Sequence, residues 1–329
     1  MSLNFKRLLV LIGCCAIAPL AAAQQSPAWP QGKPITIIVP FAAGAAVDNA
    51  ARQVSTRLAE RLGQAVVIEN LPGASGVIGA TKAARSTPDG YTLMVAPDTS
   101  LTLTPLVTPD TVKYDGLKDF TPIGVINTTP YVLVTSVALP VSSVSELIRY
   151  AKSRPRQLNY GSPGIGNLTH VAMEQLSMQA GIELLHVPYK ATPQLVTDLI
   201  SGQVNMTLSV PSTALPHITT GRLKALGVTG DKRITALPDV PLVSDSAELK
   251  GFNITTSISL FAPSRTPAPV IERLNRELRE ILSAPDLRNA MLGQGATPGS
   301  LSPAEYAAVL RNDLAQYDKV VKAAQIKAE

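Results

Sequence analysis

One stretch constrains this chain more than any other. In residues 34–52, PITIIVPFAAGAAVDNAAR, a strand stops at a proline and passes through a loop of small side chains into a long amphipathic helix. Ile35, Ile37, Ile38 and Val39 form an apolar run that reads as a buried strand ending at Pro40. Phe41-Ala42-Ala43-Gly44-Ala45 follow, and Val47, Ala51, Val54, Leu58 and Leu62 then recur at spacings of four, three, four and four. The unpaired N–H groups and positive dipole end of the helix point into the loop, and small side chains let a ligand approach the backbone. The segment is a place for a carboxylate or a phosphate.

The same unit recurs. Val66-Val67-Ile68-Glu69 reads as a strand, followed by a small-residue loop over 71–76 and a helix starting near Val77. Leu158-Asn159-Tyr160 leads through the loop 161–167 into a helix carrying Leu168, Ala172 and Leu176. Between these units, Pro88-Asp89-Gly90 marks a turn before a strand from Tyr91 to Val95. Residues 96–122, with prolines at 97, 105, 109 and 122, read as irregular, and Gly124 to Val134 as extended. Further on, Ser143-x-x-Glu146 and Ser302-Pro303-Ala304-Glu305 are capping boxes. Thr192-Pro193 and Thr266-Pro267 read as helix starts, and Gly202 as a helix stop. Val204, Met206, Leu208 and Val210 alternate with polar residues as in a strand. The alternation of strands and helices argues for α/β architecture with mainly parallel sheets and a boundary near residue 130. In open α/β sheets ligands lie beyond the carboxyl ends of strands, so two such domains face to face would form a cleft lined by helix N-termini.

Composition excludes several classes. With 329 residues the chain has room for two cores. Aromatic residues make up only 4%, which leaves few stacking platforms for bases or sugars. Lys6 and Arg7, the apolar run Leu8 to Leu20 and Ala21-Ala22-Ala23 read as a Sec-type signal peptide over residues 1–23, with the product exported to the periplasm. Cleavage there removes Cys14 and Cys15, so the mature chain has no thiol, disulfide or Cys-based metal site; Leu11-Ile12-Gly13-Cys14 leaves lipidation at Cys14 as an alternative. Loss of Lys6 and Arg7 lowers the basic count from 29 to 27, against 24 acidic residues, for a net charge of +3. The basic residues are scattered, which speaks against a nucleic-acid partner.

Several motifs stop short of chemistry. Gly73-Ala74-Ser75-Gly76 approaches a nucleophile elbow, but Val77 stands where its last glycine belongs. Gly164-Ile165-Gly166 lacks the third glycine of a dinucleotide fingerprint, position 169 being Thr169. His170 and Glu174 share a helix face, yet no third metal ligand is evident and a structural hydrogen bond is the better reading. Asp48 reads as an acid favoured by the helix dipole, with a ligand ammonium or the other domain as alternative partner. Ser162, Asn167 and Thr169 are short polar donors at a helix start, suited to carboxylate oxygens. Tyr189 and Lys190, at the end of a strand, could reach the cleft, and so could Ser209 and Ser212.

At this level of detail the chain resembles the extracytoplasmic solute-binding proteins of tripartite tricarboxylate transporters, the Bug family. The likeness rests on Trp29-Pro30, Pro34-Ile35-Thr36-Ile37-Ile38-Val39-Pro40-Phe41, Asp48 with Ala51-Arg52, Pro72-Gly73-Ala74 with Gly76, and Pro88-Asp89-Gly90-Tyr91-Thr92-Leu93. It continues through Tyr160-Gly161-Ser162, Thr169-His170, His186-Val187-Pro188-Tyr189-Lys190, Leu237-Pro238-Asp239-Val240-Pro241 and Leu260-Phe261-Ala262-Pro263. The resemblance implies a type II-like periplasmic binding fold: two α/β lobes, residues 24–129 plus 252–329 and residues 130–251, with two hinge crossings and a ligand cleft between them. It implies a monomer without cofactor, metal or catalysis. Such a protein captures a small organic carboxylate (a di- or tricarboxylate, an acidic amino acid or an aromatic acid) and delivers it to integral membrane permease subunits. The expected ligand-binding residues are Phe41, Ala43, Gly44, Ala45 and Asp48 on the first loop, and Ala74, Ser75 and Gly76 on the second. The other lobe supplies Ser162, Gly164, Asn167, Thr169 and His170, with Tyr189 and Ser209. The chain departs from the family pattern at Ala45, Val47, Ala191 and Ser257-Ile258-Ser259, where a second glycine, a Thr or Ser, a glycine and a Trp are usual. Two alternatives remain: an exported serine hydrolase using Ser75 or Ser162 with His170 or His186, and a receptor that signals to a membrane sensor.

Overall fold

The computed structural model describes residues 29–327; the expected signal peptide over 1–23, with Cys14, lies outside them. The chain begins with β1 (Ile35–Val39), α1 (Ala46–Leu62), β2 (Val66–Asn70), a single 3-10 turn (Ala74–Gly76), α2 (Val77–Ala84) and β3 (Thr92–Pro97). Two one-turn helices, α3 (Thr99–Thr102) and α4 (Thr104–Val107), precede the long β4 (Phe120–Pro130). Next come β5 (Val132–Ser136), α5 (Val144–Lys152), β6 (Asn159–Ser162), α6 (Leu168–Ala180), β7 (Leu185–Pro188), α7 (Thr192–Ser201), β8 (Met206–Ser209), α8 (Pro211–Thr219) and β9 (Leu223–Val228). The chain ends with β10 (Thr255–Pro263), α9 (Ala268–Ser283), α10 (Pro285–Gly293), β11 (Thr297–Pro298) and α11 (Pro303–Ala323).

Two sheets result, one six-stranded in the order β11-β4-β10-β3-β1-β2, the other five-stranded in the order β7-β6-β8-β5-β9. The side chains of one strand alternate between the two faces of its sheet. Ile35, Ile37 and Val39 enter one apolar cluster of the first sheet and Ile38 the other. In the second sheet Leu133 goes to one side, Val132 and Val134 to the other. Fully burying each such aliphatic side chain contributes about 1.5–3 kcal/mol. The helix read from the 47/51/54/58/62 spacing forms as expected, with all five residues buried and Gly63 closing it in a left-handed conformation.

The sheets are mixed, not mainly parallel. β1 pairs in parallel with β2 and β3, and β6 with β7 and β8, but β10 runs antiparallel to β3 and β4, and β5 antiparallel to β8 and β9. The strands that reverse direction are those that carry the chain across from one sheet to the other and back. The first crossing lies between Pro130 and Val132, and the return between Val228 and Thr255. Thr229, fully buried, bridges the two: its Oγ1 accepts from the Tyr131 N–H (2.9 Å) and donates to the Ile254 carbonyl.

Other local expectations need correction. Residues 96–122 are not wholly irregular, because the Asp98 side chain caps α3 by accepting from the Thr99 N–H (2.8 Å) and Pro105 fits the start of α4. Thr192 does not cap α7, which starts from Ala191 without side-chain capping, whereas α9 opens after Thr266-Pro267 as read, the Thr266 hydroxyl donating to Pro263 O (2.7 Å). At α5, Ser143 caps as read, but the Glu146 carboxylate reaches back to Ser142.

α11 joins the two cores. Tyr306 and Leu310 pack into a cluster of the first sheet, and Tyr317, Val320 and Val321 into a cluster of the second. Leu310→Ala and Tyr317→Ala should each lower the unfolding free energy by about 2–5 kcal/mol. Urea denaturation reads the loss, and an unchanged midpoint for Tyr317→Ala would show that the helix does not tie the second core.

Candidate functional site

The first loop is held by a buried carboxylate. Asp48, 1% exposed, accepts at Oδ2 from the Gly44 N–H (2.8 Å) and from Arg52 Nε (2.8 Å), and at Oδ1 from Asn70 Nδ2 (2.9 Å). Asn70 also donates to the Phe41 carbonyl (3.2 Å). The hydrogen bond from Arg52 is the main cause that holds the Asp48 carboxyl down at about 2. The side chain thus turns into its own lobe and takes one amide of the loop for itself.

The second loop lies against the first under backbone strain. Ala74 and Ser75 have φ of 46° and 54°, between Gly73 and Gly76 at 137° and 93°. The left-handed conformation costs a residue with a Cβ roughly 1–2 kcal/mol. The turn sits directly on Pro40 and Phe41: a Cβ at Gly76 would lie 3.4 Å from the Phe41 ring, and one at Gly79 would be 2.9 Å from the Leu71 carbonyl oxygen and from Pro40 Cα. Strain of this kind persists where surrounding contacts impose it.

The third loop is organised by stacked rings. His170 and His186 are parallel, with centroids 3.8 Å apart, and Tyr160 stacks on His186 at 5.0 Å. His170 Nδ1 accepts from the Gly166 N–H (3.1 Å), while Glu174 takes the Tyr160 hydroxyl, so each has its own partner. Burial pushes both histidines down to about 4, His186 with a further contribution from His170. Asn167 caps α6 by accepting at Oδ1 from the Thr169 N–H and hydroxyl, both at 3.0 Å. Ser162 Oγ lies 2.6 Å from His186 Nε2, but it also donates to Gly164 O (3.0 Å) and has no exposed surface.

Two chambers lie between the sheets. The first encloses ≈ 430 Å³ and brings together Phe41, Ser75, Gly164 and Asn167 from the expected set. Much of its remaining wall comes from Pro97, Thr99, Ser100, Leu103, Thr104, Val107 and Thr108, with Tyr131 and Thr256 on the crossing strands. The second encloses ≈ 260 Å³ between α1, α8, α10 and the crossing strands, and shares Thr256 with the first. Neither chamber is lined by a charged side chain.

The other expected residues stand around these walls. Ala74 and Gly76 flank Ser75 in its turn. Ala43, Gly44 and Ala45 precede Ala46, which lines the second chamber, and Ser209 precedes Val210 and Ser212, which line it too. Ser162, Thr169 and His170 are buried behind the third loop, and the Tyr189 hydroxyl donates to Asp198 (2.9 Å). The α3–α4 wall escaped sequence reading because its prolines obscure two short helices. Asn49 and Gln53, four apart on α1, were legible as a polar pair.

Asp98 stands behind the first chamber, between wall residues Pro97 and Thr99. Burial and the nearby Asp313 push its carboxyl up to about 7, and burial pushes Asp313 up to about 6.

A family model described as tripartite tricarboxylate transporter family receptor matches residues 50–326. Protein BugT of Bordetella pertussis is 32% identical over 321 residues, covering 97% of this chain and 98% of its own. A protein of R. palustris solved with adipate superposes with a TM-score of 0.74 at 33% identity, over 91% of this chain and 99% of that one. MatC from Rhodopseudomonas palustris, solved with bound malate, gives 0.70 at 29% identity, over 88% and 99%.

Asp48→Asn should destabilise the protein by about 1.5–3 kcal/mol at neutral pH, the range for hydrogen bonds to a charged group. Because the folded carboxyl is held below its ordinary value of 3.8, that stabilisation is complete above 3.8 and is lost as pH falls through about 2. Thermal melts of both proteins should therefore converge in strong acid. The histidines act over a different window. From their ordinary value of 6.5 down to about 4, the unfolded chain binds protons that the folded chain refuses, so acidification destabilises. The raised carboxyls of Asp98 and Asp313 work in the opposite sense, losing stability as pH rises through their folded values. His170→Asn combined with His186→Gln keeps an acceptor for the Gly166 N–H and a donor for Ser162 Oγ, and relative to the parent its melting temperature should gain on going from pH 6.5 to pH 4. A parallel pair of pH profiles would refute this assignment.

Proposed function

This chain belongs to the tripartite tricarboxylate transporter receptor family, and from that premise we propose that it captures a small organic carboxylate in the periplasm and hands it to integral membrane permease subunits. The first chamber is the observation that carries the reading. Ser75 in the turn that leads into α2 and Asn167 at the start of α6 face it from opposite sheets, and neither helix has an acidic residue in its first turn. Two helix N-termini and a set of hydroxyls attract an anion without any cationic side chain. The neighbours solved with adipate and malate support an acid as the ligand.

In this proposal the lobes are residues 24–129 with 252–329 and residues 130–251, and they close by bending where the chain crosses at Pro130–Val132 and returns before Thr255. The ligand-binding set is the one expected from sequence, joined by Thr99, Ser100 and Thr256; Asp48, Ser162 and His170 act as positioning residues. The exported, monomeric protein loses residues 1–23. Among the described residues no helix is long and apolar enough to cross a membrane.

A hydrolase reading has one observation in its favour, the 2.6 Å contact between Ser162 and His186. Ser162 is fully buried and already bonded to Gly164, so a substrate has no path to its hydroxyl. Hydrolysis of an ester panel, abolished by Ser162→Ala, would revive that reading.

Thermal shift against carboxylates, including aromatic dicarboxylates and citrate, tests the receptor reading. A ligand at a hundred times its Kd should add about 2.7 kcal/mol of stability. Ser75→Ala should weaken the responding acid roughly tenfold, as expected for loss of a hydrogen bond to a charged group. If no acid in the panel raises the melting temperature, the reading fails.

A further inference from the structure

The second chamber differs chemically from the first. Amide side chains dominate its polar wall: Asn49 and Gln53 on α1, Asn127 on β4 and Gln294 at the end of α10. Asn49 Nδ2 donates weakly to Gly44 O (3.3 Å), and the amides of Gln53, Asn127 and Gln294 have no hydrogen-bond partner among the described residues. Each amide offers donors and an acceptor, and no cation stands among them. A carboxylate, which only accepts, engages the amide N–H groups and none of the amide carbonyls. A neutral group that both donates and accepts would satisfy both ends.

Local fields point the same way. α1, whose first turn borders this chamber, already carries Asp48 there, and the ionised carboxylate answers the positive end of its dipole. α8, on the opposite side, has no acid in its first turn, but Pro211 at its start removes one of its free N–H groups. The first chamber faces α2 and α6, whose first turns hold no acid. Two acid-free helix starts meet at the first chamber, against one that proline weakens at the second, so a single anionic group is best held in the first. Thr256 lines both, so one extended ligand can occupy the two together.

The geometry points to the amide-lined chamber as a subsite for the neutral donor–acceptor end of an extended monocarboxylate whose carboxylate occupies the first chamber. This rests on the carboxylate-receptor reading and narrows it, setting an acid with a carboxamide or hydroxyl terminus above the dicarboxylate of the same length.

Adipate and its monoamide, with the corresponding pairs across a series of chain lengths, are the probes. Calorimetric titration should give a best-fitting length at which the monoamide binds about tenfold tighter than the diacid, the difference expected from one or two well-made hydrogen bonds. In a Gln53→Ala/Gln294→Ala variant that preference should fall to within about twofold. Both positions are exposed and Gln53 lies within a helix, where alanine is well tolerated, and the unliganded melting temperature checks folding. A diacid that binds as tightly as its monoamide at every length overturns the inference while leaving the receptor reading intact. So does a preference that survives in the variant. If neither member of any pair binds, the inference falls, and the receptor reading stands or falls with the wider panel of aromatic dicarboxylates and citrate.

Discussion

The cleft depends on where one carboxylate is committed. Asp48 sits under the first strand–helix loop, and its two oxygens gather the Gly44 amide, Arg52 and Asn70. Asn70 ends β2 and holds Phe41 as well, so the same knot fixes the spacing of the first and second loops. Being ionised and enclosed, Asp48 also decides the local field. It neutralises the start of α1 and leaves the starts of α2 and α6 as the positive ends that face the first chamber.

Around that knot the two sheets are related by strands that cross in both directions and by one helix. Thr229 ties the outgoing and returning crossings through its hydroxyl, close to Tyr131 and Thr256 on the cleft wall. α11 lies across both cores, with Tyr306 and Leu310 anchored in one and Tyr317 in the other. The lobe closure proposed above would bend the crossings, and α11, anchored in both cores, would flex or slide with it. The Asp98 and Asp313 carboxyls, pushed upward by burial, lie near these same elements and make the region sensitive to proton concentration.

Much of this was legible in the residues. The spacing along α1, the caps at Ser143 and Ser302, and the small-residue loops follow from local rules that hold before any tertiary contact exists. Other features were not. Thr192 satisfies the pattern of a cap, but α7 starts from Ala191 and takes Thr192 into its first turn. The parallel sense expected of alternating strands and helices fails at β4, β5, β9 and β10, where the need to cross between sheets overrides local pattern. The α3–α4 wall has no periodicity to read, since each helix is a single turn.

The sequence by itself determined that this protein is α/β, that loops of small side chains lead into its helices, and that its family is the one its motifs resemble. These properties live in spacing, small side chains and short ordered motifs, which a linear reading captures. Only the tertiary structure decided which helix starts remain positive. That depends on Asp48 turning inward to Gly44 and Arg52, and on Ser75 and Asn167 meeting from opposite sheets across one chamber. Electrostatics between groups far apart in sequence is set by the distances that folding imposes, and no linear pattern contains them.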